Sequence, residues 1–243
     1  STNVAALGTE LRLSGKTKLV LRGARTTIAF DEKETFLGSE LAAALNQHSD
    51  AEVLQLRYSL TPLTTLVVNT EAVQDRFERD HLRNADSISF RPGFEFKPFA
   101  LIAGRVSIGF RHFNVLNESV RDYDGAVAAV EAKYTLTTST QLSGIVNRDL
   151  VFSYDEITPY YTLTNAGLTI NERITPSWDV VARGGWQTLG YRGLSTPAAD
   201  SRGTDRGTTF GVGLGYLVGE SLRVGLDVNY YLRRSPLPLR NYD

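Results

Sequence analysis

Cysteine is absent from this chain, which removes disulfides, thiolate metal sites and thiol nucleophiles together. No apolar run approaches the ~20 residues of a transmembrane helix, so helical membrane spanning is excluded. The start lacks a charged segment followed by an apolar core, so Ser1 reads as a mature or trimmed end rather than a signal peptide. A formal net charge of −1 gives no bulk attraction for nucleic acid, and 42% hydrophobic residues is too apolar for disorder. Histidine occurs only three times. There is no Gly-x-Ser-x-Gly elbow, His-Glu-x-x-His motif or phosphate-binding glycine loop. No cofactor or metal is implied.

What the chain does have is a nine-residue pattern in six copies: LRLSGKTKL (11–19), YSLTPLTTL (58–66), FEFKPFALI (94–102), YTLTTSTQL (134–142), ERITPSWDV (172–180) and YLVGESLRV (216–224). Apolar residues stand third and ninth in each, around a stretch of Thr, Ser, Gly and Pro that punctuates turns. Positions six apart share one face of a hairpin. Six such hairpins form a repeat architecture. Eleven Tyr, eleven Phe and 21 Gly add a bias toward strands and barrels.

Period-two alternation runs outward from these turns. Phe210, Val212, Leu214 and Tyr216 alternate with Gly211, Gly213 and Gly215. Val224, Leu226, Val228 and Tyr230 alternate with Arg223, Asp227, Asn229 and Tyr231. Leu54, Leu56 and Tyr58 oppose Gln55 and Arg57; Ile88, Phe90 and Phe94 oppose Ser89, Arg91 and Glu95; Val106, Ile108 and Phe110 oppose Arg105 and Arg111. The pattern weakens at 18–30, where Arg22 and Arg25 fall on opposite faces, and at 141–154, where Arg148 breaks parity. A bulge or strand end would reconcile both. The strands are long, their polar positions carry Arg and Glu, the turns alternate short and long, and Tyr58, Phe94, Tyr134 and Tyr216 recur before the short turns. These features favour a membrane barrel, apolar outward to lipid and polar inward to water, over a soluble sandwich. The expected fold is all-β: a transmembrane antiparallel up-and-down β-barrel of about twelve strands, one domain over 1–243, in the bacterial outer membrane with the lipid bilayer as its first partner.

Long connections fall near 31–51, 74–87, 114–125 and 192–208, with a shorter one near 155–159. The first contains LGSELAAALNQ (37–47), which reads as a short surface helix. Short turns belong on the periplasmic side, which would leave both chain ends outside. The economical expectation is that strands are missing at each end and that the complete barrel has 14 or more; a closed twelve-stranded barrel with reversed termini is the alternative.

The stretch from Val146 to Asp243 carries a family resemblance: Pro159-Tyr160-Tyr161, Ala166-Gly167-Leu168, the run Trp178 to Gly185, and the Gly-Tyr before the last hairpin. It resembles the outer-membrane proteins known as putative β-barrel porins of the second type. The first half matches through its hairpin repeat. The resemblance implies an outer-membrane conduit, linked to exopolysaccharide export, with periplasmic export partners.

Parity assigns the lumen. The pore-lining candidates are Arg57, Arg91, Glu95, Arg105, Arg111, Glu131, Lys133, Arg183, Gln187, Arg223, Asp227, Asn229, Tyr231 and Arg233, with Arg12, Arg22, Glu10, Glu71 and Asp179 on the same face. Cations outnumber carboxylates there, which points to a weakly anion-selective channel suited to small anionic solutes or acidic polysaccharide. The competing account is that pairs such as Arg91 or Arg105 with Glu95 neutralise and brace the wall. A structural or adhesive barrel with a plugged lumen is the alternative function. An outer-membrane lipid hydrolase is disfavoured: His48 and His81 read as loop residues, and His112 lies on the face opposite Ser107. Asp122 and Asp124 form a weak Asp-x-Asp candidate for a divalent cation.

Overall fold

The computed structural model describes residues 1–36, 39–97, 101–155, 158–193, 203–219, 221–236 and 241. The long strands are β1 (Thr2–Arg12), β2 (Thr17–Ile28), β5 (Gln47–Ser59), β6 (Thr64–Phe77), β7 (Ala85–Phe96), β8 (Ile102–Val115), β9 (Tyr123–Thr135), β10 (Thr140–Phe152), β11 (Tyr160–Arg173), β12 (Trp178–Arg192), β13 (Thr204–Val218) and β14 (Leu222–Arg234). Between β2 and β5 lie a two-residue pair, β3 (Thr35–Phe36) with β4 (Ser39–Glu40), and the short helix α1 (Leu41–Leu45). The twelve long strands form one antiparallel sheet in chain order. Among the described residues no ladder joins β1 to β14, and both are exposed along nearly their whole length.

Each repeated segment is a hairpin, and in five of the six the fourth residue explains the turn. Ser14, Thr61, Thr137 and Thr175 each accept through the side-chain oxygen from backbone N–H groups two and three residues on, at 2.9–3.3 Å. Such a hydroxyl turn satisfies amides that the ladder cannot reach. In the last copy the same position is Gly219, at a left-handed φ of 66° that glycine adopts without strain. Residues 98–100 of the third copy lie outside the described residues.

The amphipathicity is inverted. On β13, Phe210 and Val212 are 58% and 61% exposed, while Gly207, Gly211, Gly213 and Gly215 between them are buried. On β7, Ile88, Phe90 and Phe94 are exposed, and Ser87, Ser89 and Gly93 are buried. A wall that presents its apolar side outward is stable only against hydrocarbon. This is a transmembrane β-barrel wall.

Register gives the tilt. One row of paired residues runs along the apolar face through Tyr58, Leu66, Phe94, Val106, Val130, Val146, Ala166, Trp186, Thr208 and Leu232. It starts one residue from the turn end of β5 and finishes ten residues from that of β14. Nine residues of slip at ~3.3 Å each, over nine spacings of ~4.8 Å, is a strand tilt of about 35°. With Tyr58 as zero height, Phe96, Tyr134, Trp178 and Tyr216 all fall within about 3 Å of it, an aromatic girdle at the short-turn end.

Both breaks in the sequence pattern have a structural cause. Arg22 and Arg25 do lie on opposite faces, and Arg25 pairs with Asp50 at 2.6 Å on the apolar side. At Arg148 the β9–β10 ladder ends, while the β10–β11 ladder continues to Phe152 and Tyr160. Beyond that point β10 parts from β9 while β11 stays paired with β12 to Tyr160 and Arg192, and the β10–β11 end turns into the mouth. Phe152 packs on Phe77 (centroids 4.7 Å) and on Phe113 (6.0 Å), and Tyr160 on Phe113 (5.0 Å). These join Ala85, Val115, Val120 and Tyr123 in an apolar cluster. The edge of β9 is sealed by side chains: Arg148 Nε and the Tyr123 hydroxyl both donate to the Ala126 carbonyl, at 3.1 Å each. Capping of this kind replaces the ladder bonds that the departing strand takes away.

The helix expected in 37–47 is present as α1, with Ala42 and Ala44 buried. His48 is not in a loop; it lies in β5, because the strand starts at Gln47, earlier than the alternation suggests. His81 sits in a single 3-10 turn, His81–Arg83. Most of the connection at 192–208 and residues 156–157 lie outside the described residues.

Candidate solute-lining face

The polar face of the wall is concave, since groups on it meet across intervening strands. Ladder parity puts Arg57, Arg91, Glu95, Arg105, Arg111, Glu131, Lys133, Arg183, Gln187, Arg223, Asp227, Asn229, Tyr231 and Arg233 together on this side. Most of the charged ones are bound to one another.

Three groups of ion pairs brace the face. At the centre, Glu71 takes Arg91 at 2.6 Å and Arg111 at 3.3 Å, while Asp149 takes Arg111 at 3.0 Å and Arg91 at 3.9 Å. All four side chains are less than a quarter exposed. Nearer the short turns Arg57 grips Glu95 with two guanidinium nitrogens, and Arg105 faces Glu131 at 2.9 Å. On the last strands Arg183 reaches Asp227 at 2.8 Å, Arg223 reaches Asp179 at 2.5 Å and Arg233 reaches Asp205 at 2.5 Å.

Several of these pairs skip a strand. Arg57 on β5 crosses Val67 on β6 to reach β7, and Arg111 on β8 crosses Ser89 on β7 to reach β6. The pairs Arg183–Asp227 and Arg223–Asp179 link β12 to β14 across the glycines of β13. A Cβ at Gly213 would strike the Asp227 carboxylate, and one at Gly215 the Arg223 guanidinium. In the same way Asn229 lies over Gly211 and Gln187 over Gly207. The glycine row is a trough for neighbouring polar side chains. Glu95 therefore pairs with Arg57, not with Arg91 or Arg105 as nearest-neighbour reasoning suggests.

Sequence parity missed Asp75, Asp149, Asp205, Lys18 and Arg173 on this face. Asp149 was hidden by the parity break at Arg148, and Asp205 because β13 starts at Thr204, inside the connection expected over 192–208. Their alternation with Arg148 and Arg206 was the available signal. Among the described residues, Arg12, Arg22, Lys133 and Arg173 share the face with no hydrogen-bond acceptor or ion-pair partner. The residual charge of the face is therefore positive, and three of these four cations stand at strand ends beside the short turns.

Mid-wall, Gln55, Asn69, Asn147, Asn165 and Ser107 surround the Arg91, Arg105, Glu95 and Glu131 side chains in a basin of about 430 Å³. At the long-loop end Tyr161 and Tyr191 pack at 5.6 Å, with Arg233 donating to the Tyr191 hydroxyl at 3.3 Å. Tyr231 stands opposite Thr209 and is 55% exposed. The mouth is narrowed by the tucked hairpin, which Arg83 anchors: its guanidinium donates to the Ser153 and Asp155 carbonyls, both at 3.0 Å, and pairs with Asp80.

The remaining candidates are accounted for locally. His112 bonds Asp124 at 2.5 Å on the apolar face, and Ser107 on the polar face donates to the Ala129 carbonyl. Asp122 accepts from the Val115 amide at 2.8 Å, closing the β8–β9 connection. The Asp-x-Asp pair thus has separate structural duties, and no group of three or more metal-ligating side chains occurs among the described residues.

A comparison with curated proteins finds no match. Among solved structures, the chain is similar to the FrpB iron transporter from Neisseria meningitidis (F3-3 variant), with 10% identity and a TM-score of 0.48; the alignment covers 96% of this chain and 52% of that one. The chain thus spans about half the length of that transporter. Family comparison is decisive: residues 3–243 match the family described as Putative beta-barrel porin 2, and the chain belongs to it.

Proposed function

We propose that the protein is an outer-membrane channel that passes hydrophilic solutes along its charged, amide-rich face. The observation that carries this reading is the sidedness of the wall: apolar residues outward, and ion-paired arginines with Gln55, Asn69, Asn147 and Asn165 inward. Water and polar solutes find hydrogen-bonding partners along such a face, whereas hydrocarbon does not. Family membership supports the same reading. Because the paired charges cancel, selectivity among the described residues falls to Arg12, Arg22, Lys133 and Arg173 set against the single carboxylate of Asp75, and the channel prefers anions weakly. Acidic polysaccharide leaving through a periplasmic export assembly is the cargo we favour: its carboxylates suit the cationic end, and its hydroxyls suit the amides of the mid-wall.

A second reading draws on the hairpin in the mouth. Phe152, Tyr160 and the Arg83 anchor occupy space on the concave side, as a structural barrel with a plugged lumen would require. Single-channel conductance in a planar bilayer, with the reversal potential under a salt gradient, separates the two. A steady conductance with reversal on the anion side is expected. A silent bilayer with verified insertion would overturn the open channel in favour of the plug.

A further inference from the structure

Four charged residues on the apolar face, Arg25, Asp50, Glu52 and Arg148, lie at heights where the rest of the wall carries only uncharged side chains. On the scale set by Tyr58 and a tilt of about 35°, Asp86, His112 and Asp124 stand about 24–27 Å up, at the far edge of an apolar band about 25 Å tall. Arg25 stands about 19 Å up, and Asp50 beside it neutralises it. Glu52 and Arg148 stand about 16 Å and about 19 Å up, within the band. Glu52 is exposed and shares the face of Leu54, Leu56 and Tyr58. Its ladder partners are Gly23 and Ala72, and among the described residues no ion pair or hydrogen bond reaches it. Among the described residues Arg148 is held by the neutral Ala126 carbonyl and Thr164 hydroxyl alone, so no carboxylate there compensates its charge.

Charges facing hydrocarbon are unfavourable, and they mark a contact that removes them from lipid. Glu52 borders a groove of about 630 Å³, floored by Gly23, Thr70 and Ala72 and walled by Leu7, Leu21 and Leu54. Beside Arg148, Val146 on β10 and Leu168 on β11 are exposed on the same face, at about 11–14 Å, the height of the groove.

We propose that a second copy of this chain covers the groove, the outer face of its β10 and β11 seated against β2, β5 and β6 so that Arg148 of one copy meets Glu52 of the next. Opposite charges at matching heights, with apolar side chains on one copy to fill the groove of the other, point to the same pairing. The contact uses different patches on the two copies, so it is heterologous and repeats around a cyclic assembly. It rests on the membrane-spanning fold and not on an open lumen, so a silent channel leaves it standing.

The cysteine-free chain allows a direct test. Ala72→Cys and Val146→Cys chains, which keep both charges, are folded together into lipid vesicles and treated with a short bis-maleimide. Cross-linked dimers should form between the two kinds of chain and not within either kind. Glu52→Gln or Arg148→Gln should reduce them at least fivefold, and Glu52→Arg combined with Arg148→Glu should restore them. Heat-shifted migration on gels confirms folding of each variant. Cross-links joining Ala72→Cys chains to one another would overturn the heterologous contact. Folded protein with no cross-links, or lipid retained in the groove of a monomer seen by native mass spectrometry, would overturn the second copy as occupant.

Discussion

A guanidinium on a barrel wall reaches past its neighbouring strand, about 4.8 Å away, provided that little stands between. Val67, Ser89, Gly213 and Gly215 are the small residues that permit it here. The central set around Glu71 and Asp149 is half-buried, so each carboxylate is needed by two arginines at once. Glu71→Ala should destabilise the folded barrel by about 1–3 kcal/mol, the cost of leaving charged donors without acceptors. It should also move the reversal potential further toward anions. Urea unfolding from vesicles and the salt-gradient potential check the two effects. Gly213→Val should displace the Asp227 carboxylate and cost about 1–3 kcal/mol by overpacking; loss of the Arg183–Asp227 coupling in a double-mutant cycle is its specific signature.

Among the elements, the hairpins and the departing β10–β11 pair behave differently. A hydroxyl at the fourth repeat position closes four of the turns, and Thr137→Val should remove two acceptor contacts at a cost of about 0.5–1.5 kcal/mol, seen as a lower unfolding midpoint with conductance unchanged. The β10–β11 end is held by aromatic packing at the mouth. Phe152→Ala should loosen it, raising single-channel conductance or its open-state noise relative to the parent; identical traces would mean that the hairpin does not border the conducting path. The six hairpins were legible from the repeat, because a turn is written in consecutive residues. The parting of β10 from β9 was visible only as the parity break at Arg148, since the reason lies in Phe77 and Phe113 on distant strands.

For the whole molecule, the sidedness of the wall governs insertion. Val212 is exposed on the apolar face about 11 Å above the girdle, so Val212→Arg should cost about 2–4 kcal/mol of folding into lipid. Asn229→Arg on the polar face should cost far less. Equal losses at the two positions would refute the assignment of faces. By itself the sequence determined the strand count, the six short turns, the two faces and most of the charged residues on the polar one, because period-two alternation and turn chemistry are local properties of the chain. Only the tertiary structure decided which charges pair, how far the mouth is filled and which outward charges lack a partner. Those depend on residues brought together across strands by register and tilt, and on the size of the side chain that stands between them.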